Sequence, residues 1–494
     1  MQVDTRDSYI DVHETTTGVV LLVRERAYKI KKALSTAYLD FGTPTQRQTA
    51  LLRELELNRR MSPDVYLGVT QLNDPLDATR EPILVMARMP EDRRLSSMIT
   101  SDQDAAGEVH SIASLIADFH RRAIRGAWID EQATAESVGA RWKSNIAELR
   151  ELCVGTVPVG SVDEINTMAE TFLLGRTVLF DRRIADGHIV DGHGDLLSDD
   201  IFVLPDGPRI LDCLDFDDQL RFVDTIDDAS FLAMDLEFLG REDLADEFLT
   251  TIVALSQDLP PRALIDHYIA YRATVRAKVD ALRMRQGGTG SIARLERHLA
   301  LACSHLRRAE VRLCLVGGLP GSGKSTLSVG LAEHTGAVVI SSDRLRRELM
   351  EDGTLTGAAD EYRQGLYSPA ALDTVYAEML ARAHRQLTMG QSVILDATWS
   401  DSRYRHNAQG LCLSTSSALI EICCSTPLPV AVQRIAMRTE SLSDATATTA
   451  AAIEAGQDPW PESVSIDTNI DIDVSIEAAV NVWNSSGHSP VDGA

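Results

Sequence analysis

The sequence predicts a mixed α+β and α/β protein built from two domains, and three observations predict it. The chain has 494 residues, more than one hydrophobic core usually organises. Beyond residue 308, short apolar runs at 313–316, 337–340, 392–395 and 418–424 alternate with helix-patterned segments. That alternation is the mark of a parallel sheet with helices on both faces. The first half is ordered differently: strand-like runs crowd the first 90 residues and helical periodicity dominates 108–183. That part reads as a small β-rich lobe followed by a larger helical one.

In the first half, residues 18–23 and 27–31 read as adjacent strands, with Arg24, Glu25 and Arg26 turning between them. Residues 46–61 form a charged amphipathic helix pattern and 82–89 another strand. Further on comes His193-Gly194-Asp195, with Asp200 five residues later. Strands at 201–204 and 209–214 flank a hairpin at Pro205-Asp206-Gly207, and Asp215-Phe216-Asp217 follows. The spacing is that of the protein-kinase pair H-R-D-x-x-x-x-N and D-F-G, with Asp200 in the Asn place and Asp217 in the Gly place. Phosphoryl transfer needs this set of groups. A carboxylate orients the attacking hydroxyl and accepts its proton, a role for Asp195; two oxygen ligands hold Mg²⁺ against the triphosphate, a role for Asp200 and Asp215. A small-lobe lysine paired with a helix glutamate is also required. Lys29 or Lys31 can supply the first, and Glu54 or Glu56 the second. The two lysines lie on one strand face.

The loop from Arg285 to Ser291 and a helical pattern over 292–308 separate the halves. The expected division is a domain at 1–285, a linker and connector helix at 286–308, a second domain at 309–483 and a loose tail at 484–494; residues 446–455 read as a helix. Gly318-Leu-Pro-Gly321-Ser322-Gly323-Lys324-Ser325-Thr326 follows the first apolar run of that second domain and opens a helical one. It matches the P-loop pattern G-x-x-x-x-G-K-[ST]. Glycines there let backbone N–H groups cradle phosphate oxygens at a helix N-terminus, Lys324 reaches the β/γ-phosphates, and the Ser325 hydroxyl holds Mg²⁺. Asp343 follows the second strand, where ligands of open α/β sheets bind. It is a candidate base or a helix N-cap, with Arg344 and Arg347 as substrate clamps or a solvated face. Asp396 ends an apolar strand as a Walker-B-like Mg²⁺ ligand or a structural carboxylate. Arg434 and Arg438 stand at helical spacing; Arg438 is the candidate for stabilising charge on the transferred group.

The formal net charge of -25 disfavours a general nucleic-acid or anionic-membrane binder. No apolar run is long enough to span a bilayer, and the polar, acidic start is unlike a signal peptide, so a cytoplasmic protein is expected. The seven cysteines show no zinc or C-x-x-C spacing, and several lie in apolar runs as small buried hydrophobes.

Residues 193–216 resemble the aminoglycoside-phosphotransferase-like branch of the kinase fold, whose pattern is H-G-D-L-x-x-x-N followed by I-D-[FW]. Asp224 to Ala229 resembles that branch's later D-x-x-x-D-L-A segment, which is structural. The C-terminal part resembles small P-loop kinases of the gluconate-kinase, polynucleotide-kinase and zeta-toxin type. The whole chain resembles the bacterial, notably actinobacterial, fusion family that joins an aminoglycoside-phosphotransferase-like domain to a P-loop ATP-binding domain. The resemblance implies a bilobal kinase-like domain fused to a P-loop kinase domain. It also implies ATP or GTP with Mg²⁺ as cofactors, Asp195 as base, Asp215 on Mg²⁺, and Lys29 on the phosphates paired with Glu54. The expected activity is phosphoryl transfer to a hydroxyl of a small molecule such as a sugar or aminosugar. One alternative is a nucleotide-binding regulatory or stress protein with an inactive N-terminal fold; another is a polynucleotide 5′-kinase, which the acidic charge and the lack of a basic aromatic patch disfavour.

Overall fold

The computed structural model describes residues 10–15, 17–35, 40–73, 80–101, 103, 105–156, 159–288, 290–356, 365–437 and 446–485. Two compact units emerge, and neither is continuous in sequence. The first comprises Met1–Val162, Arg182–Pro260 and Tyr268–Ala302; the second comprises Asp163–Asp181, Pro261–His267 and Cys303–Ala494. The last of these divisions falls within the helix Ser291–Ala309, between Ala302 and Cys303. Among the described residues no helix is long and apolar enough to cross a membrane.

The first unit begins with a five-stranded antiparallel sheet. Its strands are β1 (Ile10–Glu14), β2 (Gly18–Val23), β3 (Arg26–Lys31), β4 (Tyr66–Asn73) and β5 (Arg80–Ala87), in the order β1-β2-β3-β5-β4. The β2–β3 hairpin is tight because Arg24 adopts a left-handed backbone at φ 50°. Helix α1 (Pro44–Asn58) starts at a capping box in which Thr43 and Gln46 satisfy each other's backbone N–H. Proline in its first turn has its φ already set for the helix. The core joins Leu51 of α1 to Val65, Tyr66 and Leu84 of the sheet side and to Phe202 and Leu211 further along the chain. A helical lobe follows, including the helices Ala106–Arg122 and Thr225–Phe238. Set into it are two small strand pairs, β6 (Ile189–Asp191) with β9 (Phe222–Asp224), and β7 (Ile201–Leu204) with β8 (Gly207–Ile210).

The second unit is an open parallel sheet of β10 (Arg312–Gly317), β11 (Val338–Ser341), β12 (Val393–Asp396), β13 (Ala418–Ser425) and β14 (Val464–Asp467). Its order is β11-β12-β10-β13-β14. β10 is buried along its whole length and hydrogen-bonded on both sides, which explains its near-continuous apolar sequence. The exception, Arg312, turns its guanidinium to Glu310 at 2.7 Å and stands over the Trp483 ring. Val316, Leu327, Ile394, Ile420 and Ile422 form the packed centre under this sheet. Because β12 and β13 flank β10 on opposite sides, the carboxyl end of β10 is the topological switch point, where open sheets bind ligands.

Five strands were not expected: β1, β4, β6, β9 and β14. In β1 only one of five residues is even half-buried, and β14 buries only Ile466, so both are short strands with little buried apolar surface. The expected strand at 209–214 stops at Ile210, because Asp212 takes a left-handed backbone at φ 60° that no strand can continue through. The helix expected at 446–455 is present as Ala447–Gly456. The last helix runs to Ser485, and the rest of the expected tail lies outside the described residues.

Candidate functional site

Each unit gathers a set of chemically competent side chains. In the first unit, strand alternation puts Lys29 and Lys31 on one face of β3, opposite the buried edge of α1. Glu54 is 1% exposed and meets both lysines: Oε1 lies 2.7 Å from Lys29 Nζ and Oε2 lies 2.9 Å from Lys31 Nζ. Glu56, the other candidate, points outward and pairs with Arg53. Lys31 also bonds Asp215 at 2.8 Å, and Lys29 bonds Asp212 at 2.9 Å. Burial disfavours the Lys29 ammonium, but Asp212 and Glu54 outweigh it and hold the group charged well above the ordinary lysine range.

The loop carrying Asp195 leaves β6 and is pinned from behind. Asp228, fully buried in the helix Thr225–Phe238, accepts the backbone N–H groups of His193 at 2.9 Å and Gly194 at 2.8 Å, and pairs with His120 Nε2 at 2.9 Å. Burial alone would raise its pKa, but the His120 bond and the other partners drive it well below the usual carboxylate range. Arg272 bonds Asp227 at 2.8 Å and the Gly194 carbonyl at 3.2 Å. Asp224 caps the same helix and takes a two-pronged contact from Arg183. The segment from Asp224 to Ala229 therefore fixes the loop.

Asp195 is raised to about 6 by burial, with Asp212 and Asp235 adding to the shift and Arg276 and Arg272 opposing it. Asp200 ends the short turn Ser198–Asp200 and is also raised well above the ordinary carboxylate range, first by burial and then by Asp212, Asp195 and Asp199. Asp215 is raised by burial against the pull of Lys31. Carboxylates crowded enough to resist ionisation are a donor set that a divalent cation would relieve. Among the described residues no three His, Cys, Asp or Glu side chains form a metal cage of their own. Mg²⁺ would therefore be held as it usually is, by one or two carboxylates with phosphate oxygens and water. The sequence pattern missed Asp212 in this cleft, because its residue type and position read as the middle of a strand.

In the second unit, the loop after β10 is a close-fitted cradle. Gly318 and Gly321 have φ of 129° and 84°, and a Cβ on them would stand 2.7 Å from the Cys424 carbonyl oxygen and 2.4 Å from that of Ala431. Only glycine fits both the conformation and the space. Gly323, also at positive φ, precedes the helix Lys324–Thr335, so the loop opens onto a helix N-terminus. The Ser322 hydroxyl is buried without a hydrogen-bond partner among the described residues. Lys324 Nζ donates to the Leu319 carbonyl at 2.9 Å, and Thr326 is exposed on the first turn. The Ser325 hydroxyl donates to Asp396 Oδ2 at 2.7 Å, joining the two expected Mg²⁺ ligands across the switch point. Asp396 is raised by burial, with Lys324 opposing.

Asp343 sits in the first turn of the helix Ser342–Glu351 and bonds Arg346 at 2.7 Å. Arg346 is buried, with its guanidinium over the Tyr367 ring at 4.5 Å. Of the two arginines singled out from sequence, Arg344 is exposed and Arg347 is half-buried. The helical spacing Asp343-x-x-Arg346 was the available signal for the pair that forms. Arg434 donates to the Thr468 carbonyl at 2.9 Å, and its Nη1 lies 3.8 Å from where a Cβ of Gly323 would be. Arg438 lies outside the described residues.

A β-rich lobe with a lysine–glutamate pair over the His193-Gly194-Asp195 loop, fused to a P-loop α/β unit, defines the class of this protein as a fusion of two kinase-like folds. The AAA domain family model matches residues 313–459. Protein Rv2004c of Mycobacterium tuberculosis is 47% identical over 482 residues, covering 98% of this chain and 97% of that protein. The chain belongs to the family of that mycobacterial protein. Among solved structures, a sugar kinase from Janibacter sp. is 18% identical, covers 35% of this chain and 95% of its own, and has a TM-score of 0.29. A choline kinase from Cryptosporidium parvum is 9% identical, covers 61% of this chain and 90% of its own, and has a TM-score of 0.41.

Proposed function

We propose that this protein is an ATP- and Mg²⁺-dependent phosphotransferase that moves the γ-phosphoryl group to a hydroxyl of a small molecule such as a sugar or aminosugar. The observation that carries the reading is the contact at the switch point: Ser325 Oγ on Asp396 at 2.7 Å, beside a loop only glycines can form. In the second unit the loop N–H groups and Lys324 bind the phosphates, and Ser325 with Asp396 holds the metal. Asp343, held by Arg346, faces the acceptor hydroxyl and takes its proton. In the first unit Lys29, steadied by Glu54, binds the phosphates. Asp195 accepts the acceptor proton, and Asp200 with Asp215 holds the metal. Mg²⁺, when bound, neutralises charge on the transferred group.

A second reading gives the first unit nucleotide binding without turnover. It is favoured by the carboxylate at 200 where the pattern has Asn, and by a lysine pair already matched to Glu54, Asp212 and Asp215. One experiment separates the readings. The purified chain is incubated with Mg²⁺, ATP and a pooled metabolite extract, and products that gain one phosphoryl group are found by mass spectrometry. A product lost in Lys324→Ala but kept in Asp195→Asn assigns turnover to the second unit, and the reverse pattern to the first. Nucleotide binding with no product in any sample rejects the phosphotransferase reading.

A further inference from the structure

The two lysines of β3 share one glutamate but not one environment. Lys31 is 5% exposed, held between Glu54 and Asp215, with the Phe41 ring 5.2 Å from its Nζ. Lys29 faces the open side, where its second partner Asp212 has a side chain 53% exposed. A stiff turn presents that carboxylate. Asp212 is left-handed at φ 60°, its N–H donates to the Tyr66 hydroxyl at 3.1 Å, and the next N–H, of Cys213, donates to Asn58 Oδ1 at 2.9 Å.

We propose that Asp212 sets the nucleotide affinity of the first unit as a built-in competitor for nucleotide phosphates at Lys29, while Lys31 is a positioning residue that keeps Glu54 and Asp215 in register. The proposal rests on the reading of this cleft as a nucleotide site. A phosphate oxygen arriving at Lys29 must displace a carboxylate that the backbone holds in place, and then remains close to its negative charge. Asp212 is held ionised, most strongly by Lys29, so the competition persists at neutral pH. It also adds to the charge around Asp195 and Asp200. Affinity in this cleft is therefore set lower, and made more dependent on a divalent cation, than the lysine–glutamate pair alone would set it. Lys31 and Asp215, deeper and less exposed, are not displaced.

The test uses the full chain carrying Lys324→Ala, so that the P-loop no longer dominates binding, with a non-hydrolysable ATP analogue titrated calorimetrically at high and low Mg²⁺. Asp212→Asn removes the charge, and asparagine tolerates the left-handed backbone; Asp212→Gly serves as a second variant that also accepts it. Each is expected to tighten binding by about three- to tenfold, more at low Mg²⁺. In a Lys29→Gln background the gain from Asp212→Asn disappears, as a double-mutant cycle requires. Unchanged or weaker binding in both Asp212 variants overturns the proposal while leaving the nucleotide reading intact. No binding in any variant, the Lys324→Ala reference included, overturns that reading and the proposal together.

Discussion

In the proposed role of proton acceptor, Asp195 combines two demands that conflict in one side chain. A proton acceptor works best with a pKa near the operating pH, and burial lifts this carboxylate to about 6. The same shift weakens the fold. An unfolded aspartate titrates near about 3.9, so between that value and the native one the folded chain holds a proton that the unfolded chain has released. This group's contribution to stability is therefore fully present below the unfolded value and is lost as pH rises through the native one. Asp195→Asn removes the ionisation without removing the shape. It is expected to melt higher than the parent at pH 7.5 and level with it at pH 4, while phosphoryl transfer by the first unit falls by about 10²- to 10⁴-fold. In the parent, that transfer is expected to decline as pH drops below about 6. Thermal melts at the two pH values with rates alongside decide it; a variant that melts lower at pH 7.5 contradicts the assignment of strain to this carboxylate.

At the scale of elements, the P-loop shows how geometry is enforced by neighbours. Gly321 packs under the carbonyl of Ala431, in the helix Leu428–Ala436. Gly321→Ala places a methyl 2.4 Å from that oxygen at a φ of 84°, so either the loop or the helix must shift. The expected cost is about 1–3 kcal/mol of stability, with nucleotide affinity lost more completely than stability; melting and equilibrium binding measured together check this, and undiminished affinity would contradict it. This site was legible in sequence because its chemistry is contiguous: one strand, one loop and one helix start follow one another directly from Arg312 to Thr326. The cleft of the first unit was legible only in part. Loop spacing located Asp195, Asp200 and Asp215, whereas strand alternation could not separate Lys29 from Lys31, and the structure places both on Glu54. Glu54 could have been separated from Glu56, since it shares a helical face with buried Leu51, Leu57 and Asn58. Asp212 could not have been found, because its role depends on a left-handed backbone inside an apparently continuous strand pattern. The same limit hid β1, a largely exposed strand.

At the scale of the whole molecule, the order of the sequence is not the order of the folded units. Residues 163–181 and 261–267 belong to the P-loop unit although they precede it by many elements. Their attachments are specific. Arg176 is fully buried and has no carboxylate partner among the described residues; it donates to the carbonyls of Thr415 at 2.5 Å and Ser416 at 3.3 Å, capping the helix Ser402–Thr415. Burial alone lowers its pKa to about 10, so the cap is held against a desolvation penalty. Phe172 stacks on His267 at 4.3 Å, and Asp266 pairs with His305 at 2.7 Å. A fragment starting at residue 309 would contain the sheet, the P-loop and every candidate residue of the second unit, yet would leave the Thr415 and Ser416 carbonyls without the Arg176 donor and apolar surface open. It is expected to bind nucleotide but to melt about 2–8 °C below the same unit in the intact chain, the shift that losing about 1–2 kcal/mol produces in a domain of this size. Arg176→Ala in the full chain should move the nucleotide-dependent transition in the same direction, because the carbonyls it caps lose their donor. Equal melting of fragment and intact chain would mean these early segments only rest on the P-loop unit, and the contacts through Arg176 and Asp266 would then contribute nothing to its stability.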